Sequence, residues 1–227
     1  MADQGVDVTY SVDLVLCIDA TGSMGTSIER VKDHALKFYD DLQGALAEKK
    51  KAVDALRLRI IAFRDYAVDG DQSMVMSDFF SLPDEKDGLA RFVKGIDAMG
   101  GGDEPEHGLE ALAYAIRSPW TAEGTKRRQV IVVWTDASSH PLGIHRTHKN
   151  YPGDIPADFD ALTDLWDGQT SPMQGAAKRL VLFAPDAASW TDISTYWEQA
   201  VHFPSHAGAG LSDIDYGSIL DTIANSI

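Results

Sequence analysis

The sequence is poor in cysteine and in positive charge, and it contains no long apolar run. Its one cysteine, Cys17, lies in a strand-like segment, so an internal disulfide is excluded and a reducing compartment is expected. The 35 Asp and Glu against 20 Lys and Arg give a formal net charge of −15, which argues against binding nucleic acid or an anionic membrane. No apolar run approaches the ~18 residues of a membrane span, and the first residues lack the features of a secretory signal. We therefore expect a cytoplasmic protein.

Strand-like runs alternate with helical periodicity along the chain, which predicts a single α/β domain over residues 1–227. The expected fold is Rossmann-like and doubly wound, with a mostly parallel sheet, one antiparallel edge strand and helices on both faces. The predicted strands are 12–18, 56–63, 73–82 at the edge, 129–134, 179–184 and 201–203. Three of the predicted helices are 25–48, 159–166 and one around 190–197. A short helix capped by Asp84 is expected to end before residue 100, and residues 103–106 open the next one. A last helix starts at 216 and is capped by Asp215. A long loop insertion is expected at about 137–175.

Oxygen-bearing side chains follow the first predicted strand at alternate positions, namely Asp19, Thr21 and Ser23. Residues two apart in an extended segment project to the same side, so one carboxylate and two hydroxyls can face a single hard cation. Two further loops carry acidic oxygens, at Asp103 after a glycine run and at Asp136 after the most β-rich strand. The carboxyl ends of parallel strands are where an α/β sheet binds ligands. This arrangement predicts a Mg²⁺ site.

The three loops together resemble the metal-ion-dependent adhesion site of von Willebrand factor type A domains. That family carries Asp-x-Ser/Thr-x-Ser after its first strand, a Thr before its third helix and an Asp after its fourth strand. Asp19, Thr21 and Ser23 match the first element, and Asp136 matches the last. The resemblance extends over nearly the whole chain. It implies Mg²⁺ as the cofactor, with Mn²⁺ or Ca²⁺ as alternatives, and a protein partner that offers an acidic side chain to the metal.

The middle element departs from the family pattern, because Gly101-Gly102-Asp103 stands where most members have Gly-Gly-Thr. In this respect the chain is similar to a bacterial intracellular branch of the family. A third carboxylate would neutralise more of the cation's charge, so the metal would bind more firmly at rest and attract a partner's carboxylate less.

Each candidate ligand also has a structural interpretation. Asp19, Thr21 and Ser23 could form a strand-end turn and helix cap, and Asp136 could be a turn residue after a buried strand. As part of the metal site, Asp136 is expected to act through water. Asp103, with Glu106 three residues later, fits a capping-box-like helix start. The resemblance places Asp65 and Glu106 near the same rim, where a solvated surface charge is the favoured interpretation of both.

Three histidines in the long loop, His140, His145 and His148, raise the hypothesis of a zinc site. Their spacing fits no tight zinc pattern and no cysteine accompanies them. Exposed loop histidines are therefore the favoured interpretation.

Two functions remain in competition at this point. The first, implied by the resemblance, is a Mg²⁺-dependent protein-interaction module without catalytic residues, acting in a bacterial multi-protein signalling, stress or defence system. The alternative is a metal-dependent phosphohydrolase that uses Asp19 as the phosphoryl acceptor. Against it, Thr21 stands where haloacid dehalogenase-type enzymes carry a second Asp. No phosphate-binding glycine loop of the common nucleotide-binding types occurs.

Overall fold

The computed structural model describes residues 9–49, 53–102, 104–205 and 216–226. Seven strands form one sheet in the order β3-β2-β1-β5-β6-β7, with β4 also paired to β2. The pairs β2-β1, β1-β5, β5-β6 and β6-β7 are parallel, whereas β3 and β4 run antiparallel to β2. The strands are β1 (Tyr10–Asp19), β2 (Ala55–Phe63), β3 (Met74–Met76), β4 (Phe80–Leu82), β5 (Lys126–Trp134), β6 (Lys178–Pro185) and β7 (Ala200–Ser205). The predicted doubly wound, mostly parallel sheet is confirmed.

Helices cover both faces of this sheet. They are α1 (Ile28–Glu48), α2 (Lys86–Lys94), α3 (Gly108–Ile116), α4 (Phe159–Asp167), α5 (Ala188–Tyr196) and α6 (Tyr216–Ser226). Buried side chains of α1, α2 and α6 share one hydrophobic cluster, and those of α3, α4 and α5 share the other. In the described part of the chain, no helix is both long enough and apolar enough to cross a membrane.

Strand β1 is buried on both faces, as expected for a central parallel strand. Leu14, Leu16 and Ile18 belong to the cluster on one face, while Val15 and Cys17 belong to the cluster on the other. The period of two in a strand produces this division. The free cysteine is therefore a small core residue, as the sequence predicts.

The predicted edge strand 73–82 is present in two short pieces, β3 and β4, which both pair with β2. Ser77 lies in the interruption, where its backbone N–H donates to the Ile60 carbonyl at 2.9 Å and its hydroxyl oxygen accepts the Ile60 N–H at 3.0 Å. A side chain thus replaces one rung of the ladder, so the backbone leaves the regular strand path.

Two predicted helix caps have different outcomes. The prediction that Asp84 caps α2 is wrong. Helix α2 begins at Lys86, so Glu85 occupies the cap position, and its side chain makes no capping hydrogen bond. The predicted cap Asp215 lies outside the described residues.

Candidate metal site at the carboxyl edge of the sheet

Asp19, the last residue of β1, is fully buried and holds the loop that follows it. Its Oδ1 accepts hydrogen bonds from the Thr21 backbone N–H at 2.9 Å and from the Thr21 hydroxyl at 2.6 Å. Its Oδ2 accepts from the Thr135 hydroxyl at 2.6 Å. Both carboxylate oxygens are therefore engaged by donors from the ends of two neighbouring strands, β1 and β5.

A chain of hydroxyl groups connects Asp19 to Asp136. The hydroxyl oxygens of Thr21 and Ser23 lie 3.1 Å apart, and the Ser23 hydroxyl donates to Asp136 Oδ1 at 2.9 Å. The second oxygen, Asp136 Oδ2, is buried and has no hydrogen-bond partner. The structure thus brings together four of the five predicted ligands. Asp103, the fifth, lies outside the described residues.

Glu106 is a part of this site that sequence reasoning assigned wrongly. The interpretation of Glu106 as a solvated surface charge is wrong, because the residue is only 5% exposed, and its Oε2 is buried without a hydrogen-bond partner. The backbone explains the burial: Glu106 N–H donates to the Ser138 carbonyl, and Glu106 forms an isolated parallel bridge with Ser139. Helix α3 begins only at Gly108, so Glu106 belongs to a loop that folds against the segment after β5.

A cavity of about 130 Å³ lies among these groups. It is lined by Thr21, Ser23, Gly100, Gly101, Gly102, Glu104, Glu106, Asp136 and Ala137. Asp19 is not among the residues that line it, whereas Thr21, which is hydrogen-bonded to Asp19, is. The Thr21 hydroxyl donates its proton to Asp19, which leaves the oxygen lone pairs free to face the cavity.

Gly101 is one of three consecutive glycines that line this cavity. Its φ of +88° is a conformation that favours glycine. A Cβ there would lie 2.6 Å from Glu106 Oε1 and 2.7 Å from Thr21 Cβ. The glycine run therefore allows the Glu106 carboxylate and the Thr21 side chain to approach the same point.

Burial disfavours the charged form of the carboxylates in this site. Burial raises the pKa of Asp19 to about 6, against the lowering effect of its hydrogen bonds with Thr135 and Thr21. Burial, followed by the charges of Asp19, Asp65, Asp69 and Asp136, raises the pKa of Glu106 to about 9. Burial also raises the pKa of Asp136. A positive charge inside the cavity would offset all three effects.

A second cluster adjoins the site; it contains two of the three loop histidines considered in the sequence, together with Asp65 and His107, which the sequence did not link to them. Asp65 and His107 are buried, and His140 and His145 are only partly exposed. The interpretation of Asp65 as a surface charge, and of His140 and His145 as exposed histidines, is therefore wrong. His148 is exposed, as expected. No local spacing links these residues, because they come from three separate loops.

A buried acid also stands beneath the long loop. Glu110 in α3 is fully buried, accepts the Tyr151 hydroxyl at 2.7 Å through Oε1, and leaves Oε2 without a partner. Burial raises the pKa of Glu110 from 4.5 to about 7. The folded protein therefore keeps a proton on Glu110 that the unfolded chain has released between these two values.

We expect the free energy of unfolding of the wild type to fall as pH rises from about 4.5 to 7, because the unfolded state binds fewer protons there. Glu110→Gln removes this contribution and should gain on the order of 2–3 kcal/mol relative to the wild type across that window. Urea unfolding at several pH values measures the difference, with the exposed Glu198→Gln as the matched control. Parallel curves for wild type and Glu110→Gln would contradict the prediction.

The comparison with known families identifies the chain. The sequence profile of the von Willebrand factor A domain family matches residues 13–147, which is more than half of the chain. The chain belongs to this family. Domains of this family are protein-interaction modules and often bind a divalent metal.

Individual relatives agree with this assignment. The alpha-protein kinase vwkA of Dictyostelium discoideum is 30% identical over 165 residues, which cover 71% of this chain and 24% of the kinase. The von Willebrand factor A domain-containing protein 7 of Rattus norvegicus is 30% identical over 133 residues, covering 59% of this chain and 13% of the relative. The chain spans a quarter or less of the length of both proteins.

Among solved structures, the pilus adhesin SpaC of Lactobacillus rhamnosus GG is similar, with a TM-score of 0.56 and 11% identity. The match covers 97% of this chain and 31% of the adhesin. At this identity the likeness concerns the fold alone.

Proposed function

We propose that the chain binds a divalent cation, preferably Mg²⁺, in the cavity beside Thr21, Ser23 and Asp136, and that the bound ion recruits an acidic side chain of a partner protein. One observation carries the proposal: two hydroxyls and the carboxylates of Asp136 and Glu106 converge on one small cavity, in which Asp136 Oδ2 and Glu106 Oε2 lack hydrogen-bond partners. Asp19 supports the site from behind by holding the Thr21 hydroxyl.

The donor set fits a hard cation because it consists of oxygen atoms only. Mg²⁺ keeps some of its water ligands in proteins, so one coordination position is available to a partner's carboxylate. Asp103 is proposed as a further carboxylate of the site, directly or through water. Mn²⁺ and Ca²⁺ are alternatives, and affinity measurements distinguish them.

The surroundings of the cavity suit a protein partner. Met99 and Val68 are half or more exposed, at 50% and 57%, and both adjoin the glycine run 100–102 that lines the cavity. Exposed apolar side chains beside the proposed metal offer a partner protein contact area around the position where its carboxylate would bind. We place the protein in a cytoplasmic, bacterial multi-protein system, on the resemblance and the composition described above.

The alternative of a phosphohydrolase has less support. Both Asp19 oxygens accept hydrogen bonds, and the carboxylate is fully buried behind Thr21. A phosphoryl acceptor has to reach the phosphorus atom in line, and this one does not line the cavity. The proposed role is therefore binding and not catalysis.

The test of the proposed function is calorimetric titration of the wild type with Mg²⁺, for which we expect one site. Asp136→Asn should weaken Mg²⁺ binding by about tenfold or more, because it removes a negative charge that lines the cavity. The matched control is Asp71→Asn, an exposed aspartate on the loop after β2. Equal Mg²⁺ affinity in the wild type, Asp136→Asn and Asp71→Asn would refute the proposal.

A further inference from the structure

Four side chains next to the proposed Mg²⁺ site form a separate cluster of nitrogen and oxygen donors. One ligand atom from each of Asp65, His107, His140 and His145 lies within 4.8 Å of the ligand atoms of the others. Asp65 follows β2, His107 precedes α3, and the remaining two belong to the loop after β5. Three segments that are distant in sequence thus deliver their donors to one point.

The distances within the cluster approach those of a coordination sphere. His107 Nε2 lies 2.9 Å from His145 Nδ1, and His140 Nε2 lies 3.3 Å from Asp65 Oδ2. Four ligands at ~2.0–2.1 Å from a tetrahedral ion stand about 3.4 Å from one another. Movements of about an ångström or less would therefore bring all four donors onto one ion.

The cluster is positioned by contacts that do not occupy its donor atoms completely. Asp65 Oδ1 accepts the Ala67 backbone N–H, which leaves Oδ2 directed at His140. The His140 backbone N–H donates to the Glu106 carbonyl at 2.8 Å, which fixes this part of the loop against the segment before α3. The three imidazole rings meet with centroid separations of 4.7 to 5.0 Å.

Two of the three imidazoles, those of His107 and His145, favour the neutral form that binds metals. Burial lowers the pKa of His107 to about 3, followed by the effect of its histidine neighbours, and burial also lowers the pKa of His145. His107 Nδ1 accepts the Tyr66 backbone N–H at 3.1 Å, so the ring's proton resides on Nε2, in the contact with His145. A cation bound at Nε2 requires the other neutral tautomer, so the ring proton moves from Nε2 to Nδ1 and the Tyr66 N–H gives up this acceptor.

We propose that Asp65, His107, His140 and His145 form a binding site for a borderline transition-metal cation, with Zn²⁺ as the preferred ion. Three nitrogen donors and one carboxylate suit Zn²⁺, Co²⁺ or Ni²⁺, in contrast to the oxygen-only set beside Thr21 and Asp136. The bound ion joins the loop that carries His140 and His145 to the sheet and to α3. This site is independent of the proposed Mg²⁺ site, so each can be absent while the other exists.

The experiment uses Co²⁺ as a spectroscopic substitute for Zn²⁺ in chelator-treated protein. To remove any contribution of the Mg²⁺ site, all variants are made in an Asp19→Asn background and titrated with Mg²⁺ present. We expect one equivalent of Co²⁺ to produce the intense visible absorption of a tetrahedral site, and Zn²⁺ to displace it stoichiometrically.

His140→Ala and His145→Ala should each lose this absorption. Their affinity for Zn²⁺ should be lower by more than about 100-fold, because substitution of residues that only support the ligands already lowers metal affinity 10–100-fold. Both positions are partly exposed, and circular dichroism verifies that the variants fold. The matched control is His148→Ala, an exposed histidine whose ring lies 5.0 Å from that of His145. It should retain the absorption.

Two results would overturn the proposal. One is folded protein that acquires no tetrahedral Co²⁺ spectrum, which would make the histidines a hydrogen-bonded support of the loop. The other is equal binding in His140→Ala, His145→Ala and His148→Ala, which would place the ion elsewhere.

Discussion

Asp19→Asn should reduce the affinity for Mg²⁺ by about 100-fold while leaving the protein folded. Asparagine has the same shape, and its amide oxygen can still accept the Thr21 backbone N–H while its NH₂ faces the Thr135 hydroxyl. The substitution removes the negative charge that polarises the Thr21 hydroxyl and balances the cation. Loss of a group directly behind the ligands costs 10–100-fold in metal affinity, and here a full charge is lost as well.

Calorimetric titration with Mg²⁺ and thermal unfolding of the same preparation measure this effect. Stability should change little or increase slightly without metal, because a buried charge is removed. Asp71→Asn, which removes an exposed charge from the same edge of the sheet, should leave the affinity unchanged. If Asp19→Asn bound Mg²⁺ as tightly as the wild type, the residue would be only a cap for the loop after β1.

Arg64→Met should lower the free energy of unfolding by about 3–5 kcal/mol. The Arg64 guanidinium is almost fully buried and donates to three backbone carbonyls, those of Ala20 at 3.0 Å, Gln72 at 2.7 Å and Asp97 at 2.7 Å. Methionine fills similar space without donors, so the Gln72 and Asp97 carbonyls lose these hydrogen bonds and the Ala20 carbonyl keeps only the Met99 N–H. For a chain of this length the melting temperature should fall by roughly 10 °C.

The Ala20 carbonyl belongs to the loop between Asp19 and Thr21, so Arg64→Met should also weaken Mg²⁺ binding. The matched control is Arg59→Met in β2, the strand that Arg64 follows, because Arg59 donates to the Ser77 carbonyl and the Ser118 hydroxyl, away from the proposed metal site. This control should lose stability without losing Mg²⁺ affinity. If the melting temperature of Arg64→Met stayed within a few degrees of the wild type, water would be replacing the three hydrogen bonds.

The sequence was sufficient for the parts of the site that follow regular strands. Asp19 and Asp136 each come directly after a buried β-rich run, and the carboxyl ends of parallel strands share one edge of the sheet. Their proximity therefore follows from the fold class. The alternation of Thr21 and Ser23 with Asp19 is equally local, and the structure preserves it: the Thr21 hydroxyl donates to Asp19, and its oxygen lies 3.1 Å from that of Ser23.

Glu106 and the histidine cluster could not be derived in this way. Glu106 lies before α3 in a segment without periodicity, and its burial depends on the pairing with Ser139, 33 residues later. His107 and His145 lie 38 residues apart and meet only because the long loop folds back over α3. Such long-range contacts leave no signal in the local spacing of residues. From the sequence alone, a loop histidine that packs against others in the fold cannot be distinguished from one that faces solvent.

The edge strands on both sides of the sheet are also poorly suited to pairing with a strand from another chain. On one side β3 and β4 are each three residues long and are separated at Ser77, so they offer a second chain no continuous ladder. On the other side β7 contains Pro204, which has no N–H to donate. Edge strands that are short, interrupted or contain proline protect proteins with β-sheets from edge-to-edge aggregation. The carboxyl edge that we propose for partner binding therefore lies between edge strands that disfavour pairing with a second copy of this chain.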